Sequence, residues 1–264
     1  MGVSQAKTMQ VIDPHFTVQV LTATPNPQTA VYAALHQDYS EGFVYDDRDK
    51  YPTESQCGRV AVERLLKSHR GHYGPLEHPQ ITFNCGWFPH STMQQMRTHR
   101  LASFDVQSGR YTGNRVYELG WQFHRAWTPE MINAAFDKAQ EVFYLRPIGS
   151  YTDRQGKRYE YTEYHRKTDI EDCLKASAKY ASRIDDGFSE EHTRGLLPFD
   201  IRQHWVLSVN LRSLMHLLTV RGKKDAQLEC QQLTELMLPH FQAWCPEIAS
   251  WYVETLWQKG RLAP

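Results

Sequence analysis

The chain has 264 residues, enough to bury a sizeable core as one large domain or two small ones. Apolar residues make up 41% of it and charged residues 23%, which is a globular balance and excludes a disordered chain. Lys plus Arg is 30 and Asp plus Glu is 30, so the net charge is zero; a general nucleic-acid binder would need a cationic excess, whereas a local cationic pocket for one nucleotide stays open.

The first sixteen residues, MGVSQAKTMQVIDPHF, hold no apolar run, so no signal peptide is expected, and no stretch of the chain reaches the length of a membrane span. Phe16 to Thr22 alternates apolar and polar residues as a strand does. Asn26-Pro27 reads as an N-cap followed by Pro at the first helical position, opening a helix to about Gln37. Thr53 and Gln56 form a capping box for a second helix, in which Cys57, Val60, Ala61 and Leu65 make an apolar stripe and which Gly71 ends. Gln80 to Phe88 is the clearest strand, with Ile81, Phe83, Cys85 and Trp87 on one face and Thr82, Asn84 and Gly86 on the other. Pro89 stops it, and a short helix carrying Met93 and Met96 follows.

Thr128-Pro129-Glu130 opens a helix that runs to about Leu145. Residues 146–167 are polar and Tyr-rich around Gln155-Gly156, and predict an exposed hairpin between Ser150 and Thr162, inserted in a single catalytic domain spanning 1–264. A helix is expected from Thr168 to Asp186, with Gly187 as its stop. From His204 to about Val220 apolar residues point in nearly every direction around a helical axis, so a helix buried on all sides is expected. Its polar members Asn210, Arg212 and His216 must then be paired or meet a ligand. Asn210 and Arg221, eleven residues apart, would lie on nearly the same side. A last long helix, Asp225 to about Leu238, ends at Pro239.

Five cysteines stand at 57, 85, 173, 230 and 245, an odd number with no Cys-x-x-Cys pair, which points to a reducing, cytoplasmic setting and not to a disulfide scaffold. Cys57, Cys85 and Cys173 fall on apolar faces and read as core, as do Trp87, Trp121, Trp127 and Trp205. His69, His72 and His78 lack the partners and spacing of a known zinc site, so no metal is expected. No Gly-x-Gly-x-x-Gly or Walker loop occurs.

The densest polar cluster runs from Arg97 to Tyr111 and holds three Arg, one His and two Ser in fifteen residues. Arginine offers paired donors to a phosphate, serine a hydroxyl, and Gly109 lets backbone N–H groups come close. Composition alone leaves a solvated cationic loop equally open.

Thr98-His99-Arg100, seven residues and then Ser108, with Ser103, Arg110 and Tyr111 in place, resembles the Arg-His-Arg…Ser-x-Arg-Tyr signature of the flavin-dependent thymidylate synthases. Further segments resemble that family in the same order: His72-Tyr73-Gly74-Pro75-Leu76-Glu77-His78; Gln95; Arg194 ahead of Leu197-Pro198; Asn210-Leu211-Arg212-Ser213-Leu214 with Arg221 and Ala226-Gln227; and Cys245-Pro246. The resemblance implies an α+β fold, an antiparallel-type sheet with packed helices, assembled as a homotetramer with sites shared between subunits. It implies reductive methylation of dUMP to dTMP, with methylenetetrahydrofolate as carbon donor, NADPH as reductant and FAD as cofactor. FAD would be held by His72, Glu77, His99, Arg100, Asn210, Arg212 and His216. The nucleotide would be held by Gln95, Gln107, Ser108, Gly109, Arg110, Arg194 and Arg221, with Arg221 and Ser108 as the catalytic candidates. A guanidinium fixed beside the uracil ring would stabilise the charge that develops as the ring is activated. The chain departs from the family pattern at Thr98, where the motif's first Arg is expected, at Val106 and at Asp225. A non-catalytic flavin- or nucleotide-binding homologue is the alternative these departures leave open.

Overall fold

The computed structural model describes residues 12–67, 71–153 and 155–259; His69 and the first eleven residues lie outside it. The elements in chain order are β1 (Thr17–Ala23), α1 (Pro27–Gln37), α2 (Glu54–Ala61), β2 (Gln80–Pro89), α3 (His90–Arg97), β3 (Ala102–Val106), α4 (Asn114–His124), α5 (Pro129–Val142), β4 (Gly149–Thr152), β5 (Arg158–Tyr161), α6 (Glu163–Asp185), α7 (Glu190–Thr193), β6 (Arg202–Asn210), α8 (Leu211–Arg221), α9 (Leu228–Trp244) and α10 (Pro246–Thr255). Among the described residues they form an α+β fold around one four-stranded antiparallel sheet, ordered β1-β2-β6-β3, and a separate hairpin, β4-β5.

The sheet buries one face. Ile81, Phe83 and Cys85 of β2 and Trp205, Leu207 and Val209 of β6 share a hydrophobic cluster with Met93 and Met96 of α3, Leu214 and Leu218 of α8, and Leu233, Met237 and Phe241 of α9. The expected phase of β2 fails at its end. The pairing with β6 shifts between Cys85 and Phe88, Trp87 takes a φ of 69°, and Phe88 enters the core in its place. Such a bulge re-aims the side chains that follow it, and here it turns the chain into α3. A second cluster lies between α4, α5 and α6 and includes Val116, Leu119, Ala139, Phe143 and Leu174. Gly120 makes it possible: a Cβ there would stand 2.2 Å from the Ser177 carbonyl oxygen of α6.

The expected helix from His204 to Val220 is a strand followed by a helix. Trp205, Leu207 and Val209 are buried while His204, Val206 and Ser208 are half-exposed, which is the period-2 pattern of β6. Two stripes in succession, one with period 2 and one with period 3.6, give an apolar residue in every helical direction. Asn210 marks the junction, its side-chain oxygen accepting from Ser213 N–H at 2.8 Å as the N-cap of α8. It therefore shares no helix face with Arg221.

Other boundaries moved for local reasons. Thr53 and Thr162 both close capping boxes, so α6 starts at Glu163, five residues before the expected Thr168. Asn26 has a left-handed φ of 49° and no capping side-chain bond; the free N–H groups of Gln28 and Thr29 instead meet the Glu54 carboxylate at 2.7 and 2.8 Å. α9 passes through the exposed Pro239 and continues to Trp244. β3 lies within the polar cluster from Arg97 to Tyr111, and α4 in the residues after it, for which no element was expected. Trp205 is core, but Trp127 is 83% exposed, and Trp87 and Trp121 are half-buried.

Candidate functional site

After β3 the chain pairs once more, Gln107 N–H donating to the His204 carbonyl at 2.9 Å, and then turns back on itself. Tyr111 N–H and Thr112 Oγ1 both donate to the Ser108 carbonyl, at 3.0 and 2.9 Å. This turn forms one wall of a cleft of about 680 Å³; α3, the start of α4 and the 194–201 segment form the others. Three arginines line the cleft, Arg97, Arg115 and Arg194, and no aspartate or glutamate does. The side chains of Arg97 and Arg194 make no hydrogen bond or ion pair with any described residue. Arg115 donates to the Arg202 carbonyl; burial, and then the charge of Arg202, hold its pKa below the ordinary guanidinium range. Among the described residues, His90 Nδ1, Gln107 Oε1, Arg115 Nε and Gln203 Oε1 are buried without a partner, and all four residues line this cleft. An unpaired buried polar atom costs about 1–3 kcal/mol, and four of the six such atoms among the described residues belong to residues that line this cleft.

A second constellation joins the C-terminal ends of α3 and α8. Arg221, the last residue of α8, donates from Nε to His99 Nε2 (2.7 Å), from Nη1 to Gln95 Oε1 (2.9 Å), and from Nη2 to the Gln95 carbonyl (2.9 Å) and Thr98 Oγ1 (2.7 Å). The guanidinium thus adds a donor to the Gln95 carbonyl at the C-terminal end of α3, which also accepts from Thr98 Oγ1. His99 must present a bare nitrogen to accept. Burial, then the charges of Arg221 and His216, lower its pKa to about 4, so it is neutral at pH 7. Beside it Thr98, His99, Arg100, Ser213 and His216 line a smaller hollow of about 200 Å³.

A family model described as "Thymidylate synthase complementing protein" matches residues 19–247. A protein of Halobacterium salinarum called flavin-dependent thymidylate synthase is 31% identical over 260 residues, covering 94% of this chain and 99% of its own. The chain belongs to the flavin-dependent thymidylate synthase family. The Haloarcula marismortui member is similar at 29% identity over the same shares of both chains. Among solved structures, thymidylate synthase X of Helicobacter pylori with FAD and dUMP aligns with a TM-score of 0.61 at 19% identity, covering 90% of this chain and 99% of that one. A UMP/dUMP methylase of Streptomyces cacaoi bound with 5-Br dUMP aligns at 0.65 and 20% identity, covering 94% and 97%. At those identities the structural likeness speaks for the fold.

The residues expected from the family signatures fall into groups. Gln107, Ser108, Gly109 and Arg194 meet in the large cleft. Gln95 and Arg221 meet in the second constellation with His99, while Arg100 and His216 line the hollow beside it. Glu77 and Arg212 pair with each other at 2.5 Å, and His72 meets Asp38 at 2.8 Å. Arg110 is exposed, lies over the Tyr111 ring at 5.5 Å and does not line the cleft. Ser108 has no base beside its hydroxyl, which accepts only from Arg110 N–H at 3.3 Å among the described residues. That environment suits a ligand-binding hydroxyl and not an activated nucleophile.

All five cysteines are buried and free, and burial raises the Cys230 and Cys173 thiols to about 12 and the Cys85 and Cys245 thiols further still. Sequence reasoning missed His90, Arg115 and Gln203. His90 opens the short helix expected after Pro89 and carried no further signal, while Arg115 and Gln203 lie in α4 and β6, which were not recognised as such.

Proposed function

We propose that the chain methylates dUMP to dTMP, with methylenetetrahydrofolate supplying the carbon, and that the large cleft takes the nucleotide phosphate. The observation that carries the phosphate assignment is a cleft with three guanidinium groups and no carboxylate to neutralise them. A dianionic ligand satisfies both that charge and the serine hydroxyl at the cleft wall.

The second constellation and the hollow beside it have the donors a flavin needs. Arg100 has no ion-pair partner among the described residues and suits a pyrophosphate, and His99 and His216 offer ring nitrogens. FAD, reduced by NADPH, supplies the hydride when bound. The chain's own part is electrostatic and positional. The Arg221 guanidinium is held by four hydrogen bonds, so its charge needs no reorganisation when negative charge develops on the uracil. With every cysteine buried, no thiol is available to attack the ring.

The cleft and the Arg221 constellation share α3, and each presents part of the set the reaction needs. This supports a homotetramer in which neighbouring subunits complete one another's sites. Leu101, Tyr111, Trp127 and Phe199, all more than 60% exposed, supply apolar surface for such contacts. We read the chain as one catalytic domain carrying the 146–167 hairpin, working in the cytoplasm, where five free thiols persist. No helix among the described residues is long and apolar enough to cross a membrane.

The test is anaerobic dTMP formation from dUMP and methylenetetrahydrofolate, with FAD present and NADPH added or withheld. Product that requires both FAD and NADPH is expected. A folded protein that binds dUMP and flavin but forms no dTMP would return the non-catalytic homologue.

A further inference from the structure

The family motif begins with an arginine at the position that Thr98 occupies here, and the structure shows where the missing charge has gone. Thr98 belongs to the Arg221 side of α3: its hydroxyl accepts from Arg221 at 2.7 Å and donates to the Gln95 carbonyl at 2.7 Å. A second guanidinium at that spot would face Arg221 with like charge. The preceding residue, Arg97, ends α3 about 100° further round the helix. That rotation carries it off the Arg221 side and into the large cleft, where it shares the lining with Ser108, Gly109 and Arg194. Its side chain makes no hydrogen bond or ion pair with any described residue. Arg115, at the second position of α4, lines the same cleft, half-buried and with Nε unpartnered among the described residues.

Resting on the reading of this cleft as the nucleotide site, we propose that Arg97, one residue before the position of the motif's first arginine, is a phosphate ligand of this chain, with Arg115 as a further guanidinium of the same subsite. A guanidinium moved by one residue along a helix reaches the same anion only if the anion lies on the newly faced side. Gly109 packs close to Arg194, a Cβ on it standing 3.5 Å from the Arg194 side chain, and Arg97 lines the same cleft, so an anion held there would lie on the side Arg97 faces.

The experiment is equilibrium binding of dUMP and of deoxyuridine, which lacks the phosphate, to the flavin-loaded protein and to its Arg97→Gln, Arg115→Gln and Arg194→Gln variants. Arg97→Gln should weaken dUMP binding at least tenfold and leave deoxyuridine binding unchanged, and the double change R97T/T98R should not restore it. Because Arg97 is exposed, the variant should keep its melting temperature; Arg115→Gln serves only if it does the same. If Arg194→Gln loses dUMP affinity while Arg97→Gln binds within twofold of the parent, the inference falls and the cleft assignment stands. If neither variant weakens dUMP, the cleft is not the phosphate site and both readings fall.

Discussion

Arg221 illustrates how much one side chain sets. Its four hydrogen bonds fix the side-chain oxygen of Gln95, the Thr98 hydroxyl and the neutral face of His99 at once. Arg221→Ala should lower dTMP formation by at least ~10²-fold, the scale on which a single oxyanion-stabilising donor acts. Arg221→Lys should recover little, because an ammonium cannot reproduce the planar fork that meets these acceptors. Turnover within a few-fold of the parent in either variant would remove Arg221 from the mechanism. The same substitution tests the electrostatics. His99 is held at about 4 first by burial and then by Arg221, so its titration in Arg221→Ala should move up toward the ordinary 6.5, as read by NMR. A histidine kept neutral in the folded state binds its proton more readily when unfolded. Its contribution to stability is therefore complete above about pH 6.5 and is lost as pH falls from there to about 4.

At the scale of elements, the site depends on two junctions. One is the bulge at Trp87 that turns β2 into α3; the other is the Asn210 cap that turns β6 into α8. Both lie at the ends of paired strands, so α3 and α8 are fixed by the sheet between them, and their C-terminal ends meet at Arg221. α4 carries Arg115 and is placed by its close approach to α6 at Gly120. Gly120→Ala would push a methyl group into the Ser177 carbonyl, a backbone atom that cannot swing aside. We expect a loss of about 2 kcal/mol in chemical denaturation together with weakened dUMP binding, since α4 must shift to make room. An unchanged denaturation midpoint would show that the two helices are not packed as described.

For the whole molecule the proposed homotetramer is the property to test. The cleft and the Arg221 constellation both depend on α3, and large apolar side chains around them are left bare in the single chain. Light scattering coupled to size exclusion should give four chain masses. Trp127→Glu, at a tryptophan 83% exposed in the isolated chain, should lower that value if the residue lies between subunits. A monomer with full activity would show that one chain completes the site alone.

The sequence alone determined whatever rests on short-range chemistry: the capping box at Thr53, the helix beginning at Pro129, the strand through Phe83, the hairpin around Gly156, and the ordered signatures that carry the family. Each is a local pattern in which neighbouring residues satisfy one another's backbone groups or share one face. Only the tertiary structure decided the rest. The stretch from 204 to 220 was ambiguous because a strand buried on one face, joined directly to a buried helix, leaves no polar gap to mark the change of period. Arg97 and Thr98 could not be assigned from spacing, because their partners, Arg221 and Arg194, lie about a hundred residues away in the chain and are brought near only by the sheet. Adjacent residues on a helix point in different directions, and which of the two meets an anion depends on what the fold sets against each side.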